Sequence, residues 1–470
     1  MCPIALAKAG GADGGGAGGK GKKGAGGKDG GNGGNGPDGS SGAKQGSGDP
    51  VKYPLCGTKS HPVDVVTGRA HTHPIEDFAT AGPLPLVFTR SCSSAAASRD
   101  FGLGWGWAHS FGWVVELRRD MVRVWTDRGV PIDFPPIEQG QEHLGAFGWV
   151  LRREAWGYVI DADDGVWRVF SVSTEGRRHK RGSHPVLAWC AGEAYLLTAI
   201  EDRNKNRIEL SYDEDTLCLA QVKDSAGREI RARKSPTGRI AGFQVKNALA
   251  QGQWVELVTY HHDDEGLLES ATDADGYTAR YAYEEGSRRL AKDTDRNGLS
   301  FHFEYWPDGR CRQSWGSYEP KPDASLVDQP KHLHDGLTPC RGIHHCLFEF
   351  GDDGFSAVTD STQTSSFQGN DFGLIDEWNE GTSTLKATYR ADGHLLSLTD
   401  GVGATTTYER DRRGRVTTLV DPLQRETRID RDPLGLPTRI VDPAGGETVL
   451  ERDGRGNLLW ARDPLGNLTR

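Results

Sequence analysis

Asp421-Pro-Leu-Gln-Arg-Glu-Thr-Arg-Ile-Asp-Arg-Asp-Pro-Leu-Gly-Leu-Pro-Thr-Arg-Ile-Val-Asp442 holds one full period of a repeat that fills Ala387 to Arg470. Glycines fall at Gly393, Gly414, Gly435 and Gly456, and aspartates at Asp400, Asp421, Asp442 and Asp463. Both series step by 21 residues, each glycine leads its aspartate by seven, and an apolar or aromatic residue follows eight later at Tyr408, Ile429 and Leu450. A period of this length marks an array of supersecondary units. Arg415-Val-Thr-Thr-Leu-Val420 and Glu426-Thr-Arg-Ile-Asp430 are short, β-branched and partly alternating, so they read as strands. Asp421-Pro-Leu-Gln, Asp442-Pro-Ala-Gly and Asp463-Pro-Leu-Gly are turns: Asp opens them, Pro presets φ, and Gly supplies a positive φ. Asp411-Arg-Arg-Gly414 and Asp453-Gly-Arg-Gly456 make the return bend. Each unit is therefore strand, turn, strand, turn, and lone hairpins are marginal in water, so the units must stack. Pro and Gly inside every window exclude a helical repeat.

The whole chain has 470 residues, enough for about two to four domains. Thirteen Trp, 15 Phe and 12 Tyr supply a core, while a mean hydropathy of -0.59 describes a soluble chain. Net charge is -10 with both signs interspersed, which argues against a nucleic-acid groove. No stretch approaches the apolar length of a membrane span, and Met1-Cys-Pro-Ile-Ala-Leu-Ala is too short for a leader's apolar region. Export would then use something other than an ordinary cleaved leader.

Three regions follow. Residues 1–50 form a Gly-rich tail: 20 of the 40 residues from 10 to 49 are Gly, and none is aromatic, Val, Ile or Leu. Such a segment cannot offset its ordering entropy, and reads as a disordered coil of roughly 35 Å span. Residues 51–196 form a Trp-rich β head, with eight of the 13 Trp between 105 and 189. Pro62-Val-Asp-Val-Val-Thr-Gly68 and Leu84-Pro-Leu-Val-Phe-Thr-Arg90 are short strands there. A meander runs through Trp113–Arg118, Met121–Thr126, Val130–Phe134, Trp149–Leu151, Gly157–Ile160 and Val166–Phe170. Residues 197–470 carry the repeat. It is degenerate at first, as in Asp224-Ser-Ala-Gly227 and Asp295-Arg-Asn-Gly298, and is interrupted by a Pro- and His-containing loop insertion at 312–345.

Several residue groups are weighed as sites. The eight cysteines (Cys2, Cys56, Cys92, Cys190, Cys218, Cys311, Cys340 and Cys346) are dispersed without Cys-x-x-Cys, and read as free or buried thiols. His332, His334, Cys340, His344, His345 and Cys346 are zinc-type ligands within 15 residues, but match no standard finger spacing. An exposed His-bearing loop is the preferred reading, and no metal is assigned. Asp163-Asp164 and Asp263-Asp264-Glu265 imitate catalytic carboxylate pairs, yet each sits at a turn and reads as solvated. Gly102-Leu-Gly104-Trp-Gly106 lacks the Lys-Ser/Thr and helix of a nucleotide loop. Indoles such as Trp105 and Trp107 allow a glycan platform, set against core packing. No catalytic residue and no cofactor is assigned.

Tyr305-Trp-Pro-Asp-Gly309 and Tyr389-Arg-Ala-Asp-Gly393 resemble the YD repeats of Rhs proteins, which sit in a broader family with the BC components of insecticidal toxin complexes and the teneurins. Pro62-Val-Asp-Val-Val-Thr-Gly68, Pro83-Leu-Pro-Leu-Val-Phe-Thr-Arg90-Ser and Phe101-Gly-Leu-Gly-Trp-Gly-Trp107 look like the domain preceding the repeats in Rhs polymorphic toxins. The resemblance covers 51–470. It implies an all-β fold in which the repeats wind as a sheet spiral into a cocoon-like shell around a C-terminal toxin. It further implies non-classical, contact-dependent secretion, commonly type VI, through a spike component. Ending at Asp463-Pro-Leu-Gly-Asn-Leu-Thr-Arg470, one strand into a unit, the chain is expected to lack the self-cleavage segment and toxin tip. The expected partners are a toxin segment or second shell-forming chain, a secretion spike, and glycans in the alternative reading of a cell-surface contact protein.

Overall fold

The computed structural model describes residues 57–173, 187–190, 192–213, 217–247, 252–318 and 326–470, so the Gly-rich tail with Cys2 and Cys56 lies outside the described residues. The described chain is all-β, with two short 3-10 turns at Ser94–Ala96 and Ala146–Gly148 and no α-helix. From Glu142–Leu144 to Leu468–Thr469 every strand pairs antiparallel with the next in one long sheet.

The turn chemistry read from the repeat is realised at both edges of this sheet. Asp421 Oδ1 accepts the backbone N–H groups of Leu423 and Arg425, each at 2.9 Å. Asp421 N donates to Arg425 O at 3.0 Å and Gln424 N to Asp421 O at 2.9 Å. The opposite edge repeats the pattern at Asp411, whose Oδ1 accepts from Arg413 and Arg415. One carboxylate thus satisfies two donors that a bare turn would leave to water.

The pairing is uneven between the two edges. Across the Asp411 turn, Thr405–Arg410 and Val416–Val420 pair through to Arg410↔Val416, with a bulge. Across the Asp421 turn, the ladder between Val416–Val420 and Glu426–Arg431 stops after Thr418↔Arg428. The strands therefore splay at one edge of each unit, and the sheet curls.

How tightly it curls follows from contacts between distant turns. The amides of Asn204 and Asn457 bond reciprocally, at 3.1 and 2.9 Å. Their turns follow Ala194–Asp202 and Glu447–Arg452, the 13th and 34th strands in chain order. Twenty-one strands at about 4.8 Å spacing give a circumference of roughly 100 Å, hence a ring about 32 Å across. Phe147 N donating to Asp392 O at 2.9 Å, and Arg413 pairing with Asp161 at 2.9 Å, join the same two windings. The sheet is a spiral in which one winding rests on the previous one.

The segment 57–111 fills the centre. Its Leu84 N donates to Ser225 Oγ, Trp107 Nε1 donates to Tyr283 Oη, and Gly57 sits against Ile375. These partners span thirteen strands, from Leu219–Lys223 to Ile375–Glu380. That is an arc of about 60 Å, whereas a compact 55-residue segment is only roughly 26 Å wide. Such a segment reaches them all only from the concave side.

Three expectations are corrected. The insertion does not run from 312 to 345: Arg312 to Tyr318 belongs to strand Cys311–Tyr318, which pairs with Ile343–Phe350, so the interruption is confined to 319–342, of which 319–325 lie outside the described residues. Arg312-Gln-Ser-Trp-Gly-Ser-Tyr318 extends the preceding repeat strand, and tertiary pairing overrides its weak alternation. Pro62–Gly68 contributes only Val63–Asp64, because Asp64 Oδ1 accepts the N–H groups of Val66 and Thr67 and turns the chain. The sheet has no break at 196/197. Strand Ala194–Asp202 pairs with Val114–Leu117 at its start and with Arg207–Tyr212 at its end.

Gln424 occupies a position with φ of 62°, where the sister turns place Gly403, Gly445 and Gly466 at φ of 82–85°. An L side chain there costs about 1 kcal/mol, part of which the freer unfolded glycine returns. Gln424→Gly is expected to raise the urea midpoint by the equivalent of about 0.5–1 kcal/mol, and Gly445→Gln to lower it by a similar amount.

Candidate functional site

The functional surface of this fold is its wall and the hub inside it, so the residues that hold wall to hub define the site. Where strands splay, the carbonyl at the start of a strand has no ladder partner. One side chain fills each of seven such gaps, and in five of them, from Tyr305, Tyr389, Arg410, Arg431 and Arg452, it stands four residues before the turn glycine. Tyr212 Oη donates to Leu197 O at 2.6 Å, Tyr283 to Leu268 O at 2.7 Å, Tyr305 to Leu290 O at 2.7 Å and Tyr389 to Ile375 O at 2.8 Å. In the last units arginine takes over. Arg410 Nε donates to Leu395 O at 2.7 Å, Arg431 Nη2 to Val416 O at 2.9 Å, and Arg452 Nε to Pro437 O at 3.2 Å. Each arginine also reaches the turn-glycine carbonyl, at Gly414, Gly435 and Gly456. The register of Arg410-Asp-Arg-Arg-Gly414 with Tyr389-Arg-Ala-Asp-Gly393 is the sequence signal for this exchange, which the reading from Tyr408, Ile429 and Leu450 missed.

At the hub, Arg90 is buried with its side chain 2% exposed. Its Nε donates to Asp77 at 2.8 Å and its Nη1 to Tyr281 Oη at 2.6 Å, while Tyr260 Oη donates to the same Asp77. The guanidinium lies 5.1 Å from the Trp107 ring and 5.3 Å from that of Tyr281. A buried cation is stable only when paired and fully hydrogen-bonded, and this one is supplied from both the hub and the wall. Asp100 forms a second tie. Its Oδ1 accepts Gly102 N and Gly104 N at 2.8 and 3.1 Å, and its Oδ2 meets Arg239 Nε at 2.6 Å.

The residues weighed from sequence are placed as follows. Gly104, at φ of 103°, lets the hub backbone touch the wall: a Cβ there would stand 2.7 Å from Gly266 O. That is close backbone packing, with no phosphate cradle. Trp107, Trp113, Trp125 and Trp149 are buried, while Trp105 is half-buried with Arg288 over its ring at 4.2 Å. Trp107 therefore offers no face to a glycan. Asp164 pairs with Arg168 at 2.7 Å, and Asp263 Oδ1 caps its own turn by accepting Leu267 N at 2.8 Å. His344 is exposed at a bulge with φ of 52°, while His345 is buried beside Gln313 with its pKa lowered by burial to about 4. His332 and His334 are exposed, Cys340 Sγ turns to Gly342 O, and Cys346 is buried. Among the described residues no three His, Cys, Asp or Glu side chains converge as a metal site. The six described cysteines are free thiols. Among the described residues no helix is long and apolar enough to cross a membrane.

Residues 60–134 match the family described as a domain of unknown function (DUF6531), and residues 389–426 match the RHS Repeat family. Over these two stretches the chain matches what is found in Rhs, or YD-repeat, proteins. It is 29% identical over 284 residues to "Probable deoxyribonuclease RhsA" of Dickeya dadantii (strain 3937), covering 58% of its own length and 18% of the relative's. It is 27% identical over 365 residues to "Probable deoxyribonuclease RhsB" of the same organism, covering 75% and 23%. The chain thus spans about a fifth of the length of the curated relatives it matches. Among solved structures it resembles TcdB2-TccC3 at 12% identity and a TM-score of 0.35, over 57% of this chain and 18% of that one. It also resembles the Photorhabdus luminescens Tc holotoxin pore carrying TccC3-D651A, at 13% identity and a TM-score of 0.26, over 89% and 22%.

Two outcomes follow for the wall. Tyr305→Phe removes the donor to Leu290 O and leaves a buried carbonyl unmet, so unfolding free energy is expected to fall by about 1–2 kcal/mol in urea titration. Asp293 is pushed up to about 6 by burial, with Arg90 opposing and Asp295 adding. Because the folded pKa lies above the unfolded one, the native state holds the proton longer, and ionising Asp293 destabilises it progressively from about pH 4 to pH 6 and leaves the full penalty above. Asp293→Asn is expected to stabilise the protein by about 2–3 kcal/mol at pH 7, and to lose that advantage by pH 4. The check is denaturant midpoints across that range.

Proposed function

We propose that this chain is the non-catalytic shell and delivery scaffold of an Rhs-type toxin system. The observation that carries the reading is the stacking of one winding on the next, Asn204 against Asn457 and Phe147 against Asp392, which turns a flat repeat into a tube wall. Subtracting about 5 Å of side chain on each side leaves a lumen roughly 22 Å wide beyond the hub. A folded 100-residue domain is about 33 Å across, so cargo held at this width would be unfolded. In this reading residues 57–196 form the head, with 57–111 plugging one end of the tube, and 197–470 form the wall. The alternation of Asp-x-x-Gly turns makes the wall extensible by further units without new chemistry.

The chain's own part is mechanical. The Tyr and Arg wedges hold the splayed edge, and the Arg90 and Asp100 ties anchor wall to hub. The nuclease activity in the names of the Dickeya relatives is theirs; here Asp164 pairs with Arg168 and Asp263 caps its own turn. A C-terminal toxin segment, a second shell-forming chain and a secretion spike are the partners the reading requires, with export by a contact-dependent secretion route. Expressed in a bacterium, the 470-residue chain is expected to leave growth unchanged, and the purified protein to leave plasmid DNA intact with magnesium. DNA breakdown or growth arrest caused by this chain would overturn the scaffold reading.

A further inference from the structure

Where the hub meets the wall beside the Arg310 turn, a cleft of about 410 Å³ opens between the head turn Asp64–Arg69, the segment after Ser94–Ala96, strand Val122–Trp125 and two array turns. It is lined by five arginines, Arg69, Arg99, Arg123, Arg289 and Arg310, against only Asp64 and Asp308. In a chain of net charge -10 this is a local reversal of sign.

Three of the five cations are already matched. Arg123 forks onto Asp133 at 2.6 Å, Arg289 meets Glu284 at 3.1 Å, and Arg310 meets Asp308 at 2.6 Å. Asp64 spends its Oδ1 on Val66 N and Thr67 N. Arg69 and Arg99 have no carboxylate within 4 Å among the described residues. Arg69 Nε is buried with no hydrogen-bond partner. Arg99 lies 4.3 Å from the Trp125 ring and donates only to Ala95 O, at 2.9 Å. Burial pushes the pKa of Arg69 down, with Asp64 opposing and Arg128 adding; burial followed by Arg123 and Arg118 does the same to Arg99. Unmatched cations beside a cleft are stabilised by an anion that accepts several N–H groups at once. The cleft has the room of about a dozen waters, which suits a multiply charged anion and not a metal.

We propose that this cleft is a binding site for a phosphate-class polyanion, with Arg69 and Arg99 as its principal donors and the Arg289 and Arg310 turns as its rim. The site joins head to array, so occupancy also bolts the hub to the wall. It does not depend on the scaffold reading, since the cleft and its charge are there whatever the shell holds. Trp125 is fully covered, with Arg99 and Arg123 at 4.3 and 5.6 Å from its ring, which leaves no aromatic face to stack a base. The recognised feature is accordingly the phosphate oxygens, whether of a free oligophosphate or of phosphates carried on a larger molecule.

The test is calorimetric titration of pyrophosphate into the full chain at physiological ionic strength, with citrate and ADP in parallel. Saturable pyrophosphate binding is expected, weakened about tenfold or more in Arg69→Gln and in Arg99→Gln and unchanged in the distant Arg462→Gln. ADP binding as tightly as pyrophosphate supports a phosphate carried on a larger molecule, and weaker ADP binding supports the free anion. If Arg69→Gln fails to fold by near-ultraviolet circular dichroism, the half-buried Arg99, as Gln and as the charge-keeping Lys, carries the test. No binding to the unaltered chain, equal binding by both Gln variants, or tighter binding of citrate would overturn the proposal.

Discussion

A row of backbone carbonyls that the sheet itself leaves unpaired is the constraint on which the rest depends. Within the clean C-terminal units the ladder across one turn runs long and bulged, while across the other it ends after three pairs. That inequality opens a wedge at one edge and obliges a side chain to donate into it, because a buried carbonyl without a partner is costly. Tyrosine meets the need with one hydroxyl and a ring that fills the wedge. Arginine meets it with a fork, and a second arm reaches the turn-glycine carbonyl. Both residues donate to the carbonyl at the same place in the unit, so the curl continues through units of different composition.

Curl accumulated over some twenty strands brings the chain back to itself, and only then does the hub acquire a wall on several sides. The ties between them are polar where a core is usually apolar: Arg90 with Asp77 and two tyrosines, and Asp100 with Arg239 and two glycine N–H groups. Apolar contact alone would let a smooth plug turn inside a smooth tube. Directional bonds at fixed points of the winding set one orientation. The buried Asp293, close to Arg90 but unpaired with it, is the group in this region whose ionisation works against the folded state.

Much of this was legible in the residues. The turns were read correctly because Asp-x-x-Gly closes on its own backbone within five residues, with no need of tertiary help. Most of the ten strands named from sequence lie within two residues of their place in the sheet, for the same local reason. The Arg312–Tyr318 strand was mistaken for loop because its neighbour in the sheet, Ile343–Phe350, lies beyond an interruption that conceals the pairing. The His and Cys cluster looked compact in sequence, yet a bulge at His344 leaves that residue exposed while His345 and Cys346 are buried. For the head indoles core packing was the preferred reading over a glycan platform, and Trp107 is fully buried. Arg69 and Arg99 drew no notice, since they lie thirty residues apart and belong to no motif.

The sequence by itself determined that this chain is a β array of 21-residue units preceded by a Trp-rich head, because strand periodicity and turn chemistry are short-range properties. The Tyr-x-x-x-Gly units and the head motif also carried the resemblance to Rhs proteins that the matches over residues 60–134 and 389–426 support. Only the tertiary structure decided how many strands complete a winding, which face meets the hub, where the buried Arg90 finds its partners, and that five arginines surround one cleft. Those facts rest on contacts such as Asn204 with Asn457 or Arg90 with Tyr281, between residues roughly two hundred positions apart. No local pattern encodes them, since they arise from the small splay of each unit summed around the ring.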